Sequence, residues 1–130
     1  MAVNHLLPSP VKQFVAWSAA QPDLAAIHGG RSGTRLNATL PALRVQRIGG
    51  VTPDDWEDNP LLQVECWGST EGQADDLART VVAALPQFRG LVSGGRVHAS
   101  SVESLFWSPD DPQLSSNSRY IITVRLLTTP

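Results

Sequence analysis

The sequence is poor in cysteine, in lysine and in charge, and each shortage narrows the classes of protein to consider. Cys66 is the single cysteine in 130 residues, so an internal disulfide and a cysteine-based metal site are both excluded. Charged residues make up 17% of the chain, which leaves neutral surface for contacts between subunits. Lys12 stands alone against nine arginines. This bias reflects either GC-rich coding or a use of arginine in planar, buried interface pairs.

A basic excess and long apolar runs are also lacking. The net charge of −2 and the pI of about 5.8 disfavour a dedicated nucleic-acid binder. The first residues lack the basic and apolar regions of a signal peptide, and no run approaches the roughly 18 apolar residues of a membrane span. We therefore expect a soluble protein, without a membrane partner, that is made in a cytoplasm.

Metal and nucleophile patterns are weak. His5, His28 and His98 have no zinc-ligand spacing, and loop or surface positions are expected for them. Cys66 falls on the apolar face of a predicted strand, which favours a buried, inert thiol. We predict no catalytic residue, no metal and no cofactor, and hence not an enzyme.

Two loops carry the remaining polar motifs. The glycine-rich stretch 29–34 lacks the lysine of a phosphate-binding P-loop. The acids at positions 54–58 do not match a calcium-binding loop, so a solvated loop is expected. Trp56 lies among these acids, and a large aromatic residue on such a loop is a plausible anchor for a partner.

Hydrophobic periodicity predicts two helices and four strands. Ser9-Pro10 is typical of a helix start, and Ser69 or Thr70 precedes a second helix with one apolar face. Apolar residues alternate in four segments. The predicted helices cover 10–20 and about 71–85, and Leu24 and Ile27 fit a short continuation of the first. The predicted strands cover 43–48, 62–67, 96–107 and 120–127. Residues 28–41 are predicted to be a loop, residues 90–95 a turn, and Gly49-Gly50 the end of the first strand.

The resulting order is α-β-β-α-β-β. It predicts an α+β fold, a four-stranded antiparallel sheet with helices packed on one face. We see no internal repeat or linker, so a single domain over 1–130 is expected.

Several segments, taken in order, resemble the tail terminator family of long-tailed phages, in the variety seen in phages of actinobacteria. They span roughly residues 10–128. The segments are Leu-Pro-Ala-Leu-Arg-Val-Gln-Arg-Ile-Gly-Gly at 40–50, the aspartate-rich loop, Leu-Gln-Val-Glu-Cys-Trp-Gly at 62–68, the helix at 74–85, Phe-Trp-Ser-Pro-Asp at 106–110 and Arg-Tyr-Ile-Ile-Thr-Val at 119–124.

The resemblance implies a structural virion protein of the tail and neck, assembled in the host cytoplasm. Such proteins form hexameric rings that cap the tail tube, stop addition of the major tail protein and offer a surface to the head–tail connector. Genomic DNA passes through the ring without sequence-specific binding. A ring needs two different side patches on each subunit, because its interface is heterologous.

Two residue hypotheses follow. Arg47, Gly49 and Gly50, with Asp55 and Trp56 of the following loop, form a subunit or tail-tube contact. Arg31 and Arg35 lie on a loop that becomes ordered on assembly. The alternatives are another head–tail joining or minor tail protein and, from a different class, a small ligand-binding α+β domain.

Overall fold

The structure, a computed structural model, describes residues 7–51, 56–108 and 117–130. Within these residues the chain forms three helices and six strands. The helices are α1 (Pro10–Ala20), α2 (Pro22–His28) and α3 (Glu71–Ala84), which runs into a 3-10 turn, Leu85–Gln87. The strands are β1 (Ser32–Gly33), β2 (Ala42–Val51), β3 (Asn59–Gly68), β4 (Gly90–Val92), β5 (Gly95–Trp107) and β6 (Ser118–Thr129).

The predicted four-stranded antiparallel sheet is wrong. The strands form one six-stranded mixed sheet, curled into a half-barrel, in the order β1-β2-β3-β6-β5-β4. β1 runs parallel to β2, and the other neighbouring pairs are antiparallel. The element order is accordingly α-α-β-β-β-α-β-β-β.

The missed elements are short or lack an ordinary capping residue. β1 has two residues and β4 has three, and strands of this length show no measurable alternation. α2 begins after Gln21, whose side chain accepts a hydrogen bond from the Leu24 amide at 2.9 Å. Glutamine is not among the residues preferred at this position, so Pro22 and the spacing of Leu24 and Ile27 are the cues to this helix in the sequence.

The first and last helices form where the sequence predicts them. The Ser9 hydroxyl accepts from the Lys12 amide at 3.2 Å, and Pro10 occupies the first turn of α1. The Thr70 hydroxyl accepts from the Gln73 amide at 3.1 Å at the start of α3. These caps satisfy amides that have no partner within the helix.

The core lies between the helices and one face of the sheet. Alternate residues of the central strands point into it, because side chains along a strand alternate between faces. The sheet contributes Leu43, Val45, Leu62, Val64, Cys66, Val97, Ile122, Val124 and Leu126, and the helices contribute Phe14, Leu24, Leu77, Ala78 and Val81. Phe88, which follows the 3-10 turn, packs edge-on against Phe14 and stacks on Trp17.

No helix of the described residues packs on the opposite face of the sheet, which is mainly polar. We call it the helix-free face. Its side chains come from the positions between the core residues of the same strands. The strand register places these side chains next to one another. They include Arg44, Gln63, Glu65, Trp67, Ser104, Arg119, Ile121, Thr123 and Arg125.

Candidate assembly surfaces

Arg47 is held within its own chain. Its guanidinium donates to both carboxylate oxygens of Asp58, at 2.6 and 2.9 Å, and to the carbonyl oxygens of Gly49 and Val51, at 3.0 and 3.3 Å. Asp58 is buried and bridges by its backbone to Thr128 of β6. Arg47 therefore fastens the end of β2 to the start of β3, and the predicted contact with a partner remains a prediction.

The two glycines after Arg47 serve the local backbone. The register between β2 and β3 shifts between Arg47 and Gly49, which marks a bulge. Gly50 has a φ of 105°, and a Cβ there would overlap the Asn59 carbonyl oxygen and lie 2.7 Å from the Cα of Pro60. Glycine is required at this position because a side chain would meet the neighbouring strand. The strand continues through both glycines to Val51, whereas the sequence predicted that it ends at them.

The loop after β2 is described only in its last part. Trp56 is 77% exposed, in agreement with its predicted place on an exposed acidic loop. Asp54 and Asp55 lie outside the described residues. Trp56 therefore offers a large, accessible side chain at one end of the sheet, and the contact predicted for this loop stays a prediction.

The glycine-rich loop is partly fixed to the fold. The Arg31 guanidinium donates to the Pro41 carbonyl oxygen at 3.0 Å, and β1 pairs with the start of β2. Arg35 and Leu36 are exposed on the segment that follows. Residues 29–35, Asn37 and Leu43 line a hollow of about 410 Å³. The ordering of the loop that carries Arg31 and Arg35 on assembly stays a prediction.

Two groups that could act as a base or a nucleophile, His28 and Cys66, are buried. His28 is fully buried, contrary to the expected loop or surface position, and its Nδ1 accepts from the Gly30 amide while its Nε2 lies 3.1 Å from the Ser18 carbonyl oxygen. Burial lowers the pKa of His28. Cys66 is buried as predicted, and burial raises the pKa of its thiol.

No group of three or more metal-ligating side chains comes together in the part of the chain that the structure describes. None of the described helices is both long enough and apolar enough to traverse a bilayer.

A buried charge network lies on the helix-free face, and the sequence analysis did not find it. Glu65 is 1% exposed, and its carboxylate accepts from Arg44 at 3.1 Å and from Arg119 at 2.6 Å. The Arg119 guanidinium also lies over the Trp67 ring, 5.0 Å from its centroid. Alternation alone places Glu65 opposite the core, but the arginines that cover it come from neighbouring strands.

The end of β5 is the second feature that the sequence analysis missed. Leu105, Phe106 and Trp107 are consecutive apolar residues, 43%, 47% and 40% exposed. They point alternately to both faces of the sheet, and β4 covers only positions 95–97 of the outer edge of β5. Exposed apolar side chains on an open strand edge are typical of a contact site.

The comparisons with known proteins give a fold but no family. No protein-family model matches the chain, and no curated protein matches it in sequence. The fold is similar to that of a chain in the solved structure of the virion of the native gene transfer agent (GTA) particle. The two chains superpose with a TM-score of 0.58 at 14% identity, over 91% of this chain and 94% of the other. The architecture is therefore shared over nearly the full length of both.

Proposed function

We propose that this chain is a structural protein of a virion, and more narrowly a tail terminator. It forms a hexameric ring that caps the tail tube, ends addition of the major tail protein and offers a surface to the head–tail connector. The observation that carries the proposal is the fold shared with a protein of the GTA virion over 91% of the chain. The sequence resemblance to tail terminators supports the narrower role independently.

The surface chemistry supports assembly without catalysis. The Cys66 thiol is buried, and both ring nitrogens of the buried His28 are engaged in hydrogen bonds within the chain, so neither group is available to a substrate. The exposed apolar residues at the end of β5 and the exposed Trp56 instead supply contact area. The proposed mechanism is complementarity of shape and charge between subunits, with no covalent step.

The helix-free face suits the DNA passage that this role requires. Glu65 pairs with two arginines, and Arg125 pairs with Glu103 at 2.8 Å. Positive charge that is already neutralised by carboxylates binds few phosphates. A ring with this face toward its lumen would let a duplex slide through without retaining it.

The direct test uses the purified protein with polymerised tail tube of its own phage. Light scattering of the protein alone and with tube, followed by negative-stain imaging, is expected to show a ring or density on one tube end. Added protein should also stop tube elongation from that end. A monomer that leaves elongation unchanged would contradict the terminator role and favour another neck or minor tail protein.

A ligand-binding role has one observation in its favour. An open groove of about 750 Å³ runs between α2 and α3, and Asp23, Asp76 and Arg79 line it together with Ile27. Open mixed grooves of this kind bury less of a small molecule than a closed pocket does. A thermal-shift screen with metabolites tests this alternative, and saturable stabilisation by one compound would favour it over assembly.

A further inference from the structure

The helices leave an apolar strip uncovered beside α3. Val102, Leu105 and Trp107 pair in register with Val124, Ile122 and Tyr120, so they point to the helix side of the sheet. They are 37%, 43% and 40% exposed, whereas Val124 and Ile122 are fully buried. Trp107 packs edge-on against Tyr120, with 4.9 Å between ring centroids. We name Val102, Leu105, Trp107 and Tyr120 the apolar strip.

Acidic side chains of α3 border this strip. The first turns of α3 lie beside the start of β6, because α3 packs on β6 and a Cβ at Gly68, the register partner of Ser118, would meet Gln73 and Ala74. Partial desolvation, and then the negative charges of Asp75 and Glu71, raise the pKa of Tyr120 on that strand. Glu71 is exposed, and Asp75 makes only a loose pair of 3.8 Å with Arg79. The strip therefore combines apolar area with negative charge that is accessible to a partner.

The opposite edge of the same sheet carries the complementary features. The hollow is lined by residues 29–35, Asn37 and Leu43, and so includes both residues of β1. Its lining residue Arg35 is exposed, and so is Leu36, the next residue in the chain. Arg31 adds a second guanidinium that its bond to Pro41 holds in place. This basic hollow has the concave shape and the positive charge that the strip lacks.

The strip and the hollow lie at the same level along the strands. Register pairs Ser32 with Leu43, Leu43 with Cys66, Cys66 with Tyr120, and Tyr120 with Trp107. One row thus crosses the sheet from β1, at the hollow, to Trp107, in the strip. All members of the row beyond β1 point to the helix side, since directly paired residues share a face.

We propose that the apolar strip of one copy inserts into the basic hollow of the next copy, with Trp107 and Leu105 entering beside Leu36, and Glu71 and Asp75 facing Arg35. The contact is head-to-tail, because the two patches are different and lie on opposite edges of one sheet. Because the two patches lie at the same level along the strands, each copy must be rotated relative to the previous one but hardly shifted along the strand direction. A repeated rotation without rise closes a ring and does not build a filament. This inference rests on the proposed ring-forming function.

The first test is cross-linking between two introduced cysteines. Leu36→Cys with Leu105→Cys, treated with a short bis-maleimide on capped tubes, is expected to give a ladder ending at a closed ring. Each single variant should give no cross-linked product on a denaturing gel. An equal mixture of the two variants should give cross-linked dimers and nothing larger. The native Cys66 thiol is buried and should not react.

The matched control moves one cysteine along the same strand. Leu36→Cys with Arg96→Cys places the second thiol about 30 Å away, nine residues down β5, and should give no ladder. Dimers from Leu105→Cys alone would indicate a two-fold contact and overturn the proposal. A ladder from the control pair in place of the Leu105 pair would also overturn it, although tubes would still be capped and the proposed function would stand.

A charge exchange gives an independent test. Arg35→Glu and Asp75→Lys are each expected to abolish ring formation, and the double variant should restore it because the ion pair is rebuilt in reverse. Failure of the double variant to recover, with circular dichroism showing a folded chain, would count against the contact. If the unaltered protein itself neither forms rings nor caps tubes, the proposed function and this contact both fail.

Discussion

Glu65 and Arg119 form an ion pair of 2.6 Å on the helix-free face of the sheet, where the Glu65 carboxylate is 1% exposed. Arg44 closes the other side of the carboxylate at 3.1 Å. The three residues come from β3, β6 and β2, so the network joins the three central strands. A charge that is removed from water in this way depends on its partners, because its own hydration is lost.

Glu65→Gln is therefore expected to destabilise the fold by about 2–3 kcal/mol, since it leaves two guanidiniums without their carboxylate. Urea unfolding followed by tryptophan fluorescence measures the change. Asp75→Asn is the matched control, because its exposed pair with Arg79 should contribute at most about 0.5 kcal/mol. Equal losses in the two variants would contradict the structural importance of the buried network.

Gly50→Ala is expected to destabilise the fold by more than about 1 kcal/mol, because its φ of 105° disfavours a side chain and a Cβ would overlap Asn59. Gly49→Ala is the control, because a Cβ at Gly49 meets nothing within 4 Å and its φ is not in the strained region. The free energy of unfolding of Gly49→Ala should stay within about 0.5 kcal/mol of the parent. If both variants unfold at the same urea concentration, the close approach at Gly50 is not what the glycine pair serves.

The sequence predicted the long elements because each has its own periodicity. The alternation of Leu62, Val64 and Cys66 and the apolar face from Ala74 to Val81 both appear in the buried core. Asp75 and Arg79, four residues apart on α3, lie on one side of the helix and form a pair of 3.8 Å, as helical spacing requires. In such elements, side-chain pattern alone decides which face is buried.

The remaining features depend on distant parts of the chain. β1 exists because the loop after α2 returns alongside β2, and nothing in Ser32-Gly33 encodes that return. The burial of Glu65 depends on Arg119, which is 54 residues away. The exposed end of β5 has an apolar sequence that predicts burial, and only the position of α3 shows that the strip is left uncovered. The proposed assembly surface is therefore the part of the molecule that the sequence indicates least.

The stability of the protein is expected to fall as the pH drops below about 6.5, the ordinary pKa of histidine. Burial lowers the pKa of His28 in the folded chain, so below pH 6.5 the unfolded chain binds a proton that the folded chain resists. The loss continues until the pH reaches the lowered folded-state pKa. Protonation would also break the hydrogen bond from the Gly30 amide to Nδ1.

Thermal unfolding between pH 7.5 and 5 measures this effect. His28→Gln provides the comparison. The glutamine amide keeps one hydrogen-bond donor and one acceptor, but it does not bind a proton in this pH range. The variant should start less stable and show a shallower fall with pH. Parallel curves for the parent and the variant would show that the acid sensitivity does not come from His28.

Trp56→Ala is expected to leave the fold unchanged and to weaken tube capping. The indole is 77% exposed, so its removal takes little buried area from the chain, whereas an exposed tryptophan at an interface contributes strongly to binding. Trp17→Ala is the control for the loss of a tryptophan that packs inside the fold. Trp17 stacks on Phe88 with 4.9 Å between ring centroids, so this substitution should lower the melting temperature. Capping is scored by the fraction of tube ends that carry density, and function by infectious titre. Normal capping and titre with Trp56→Ala would remove this loop from the tail-tube contact and leave the apolar strip and the basic hollow as the surfaces that assembly uses.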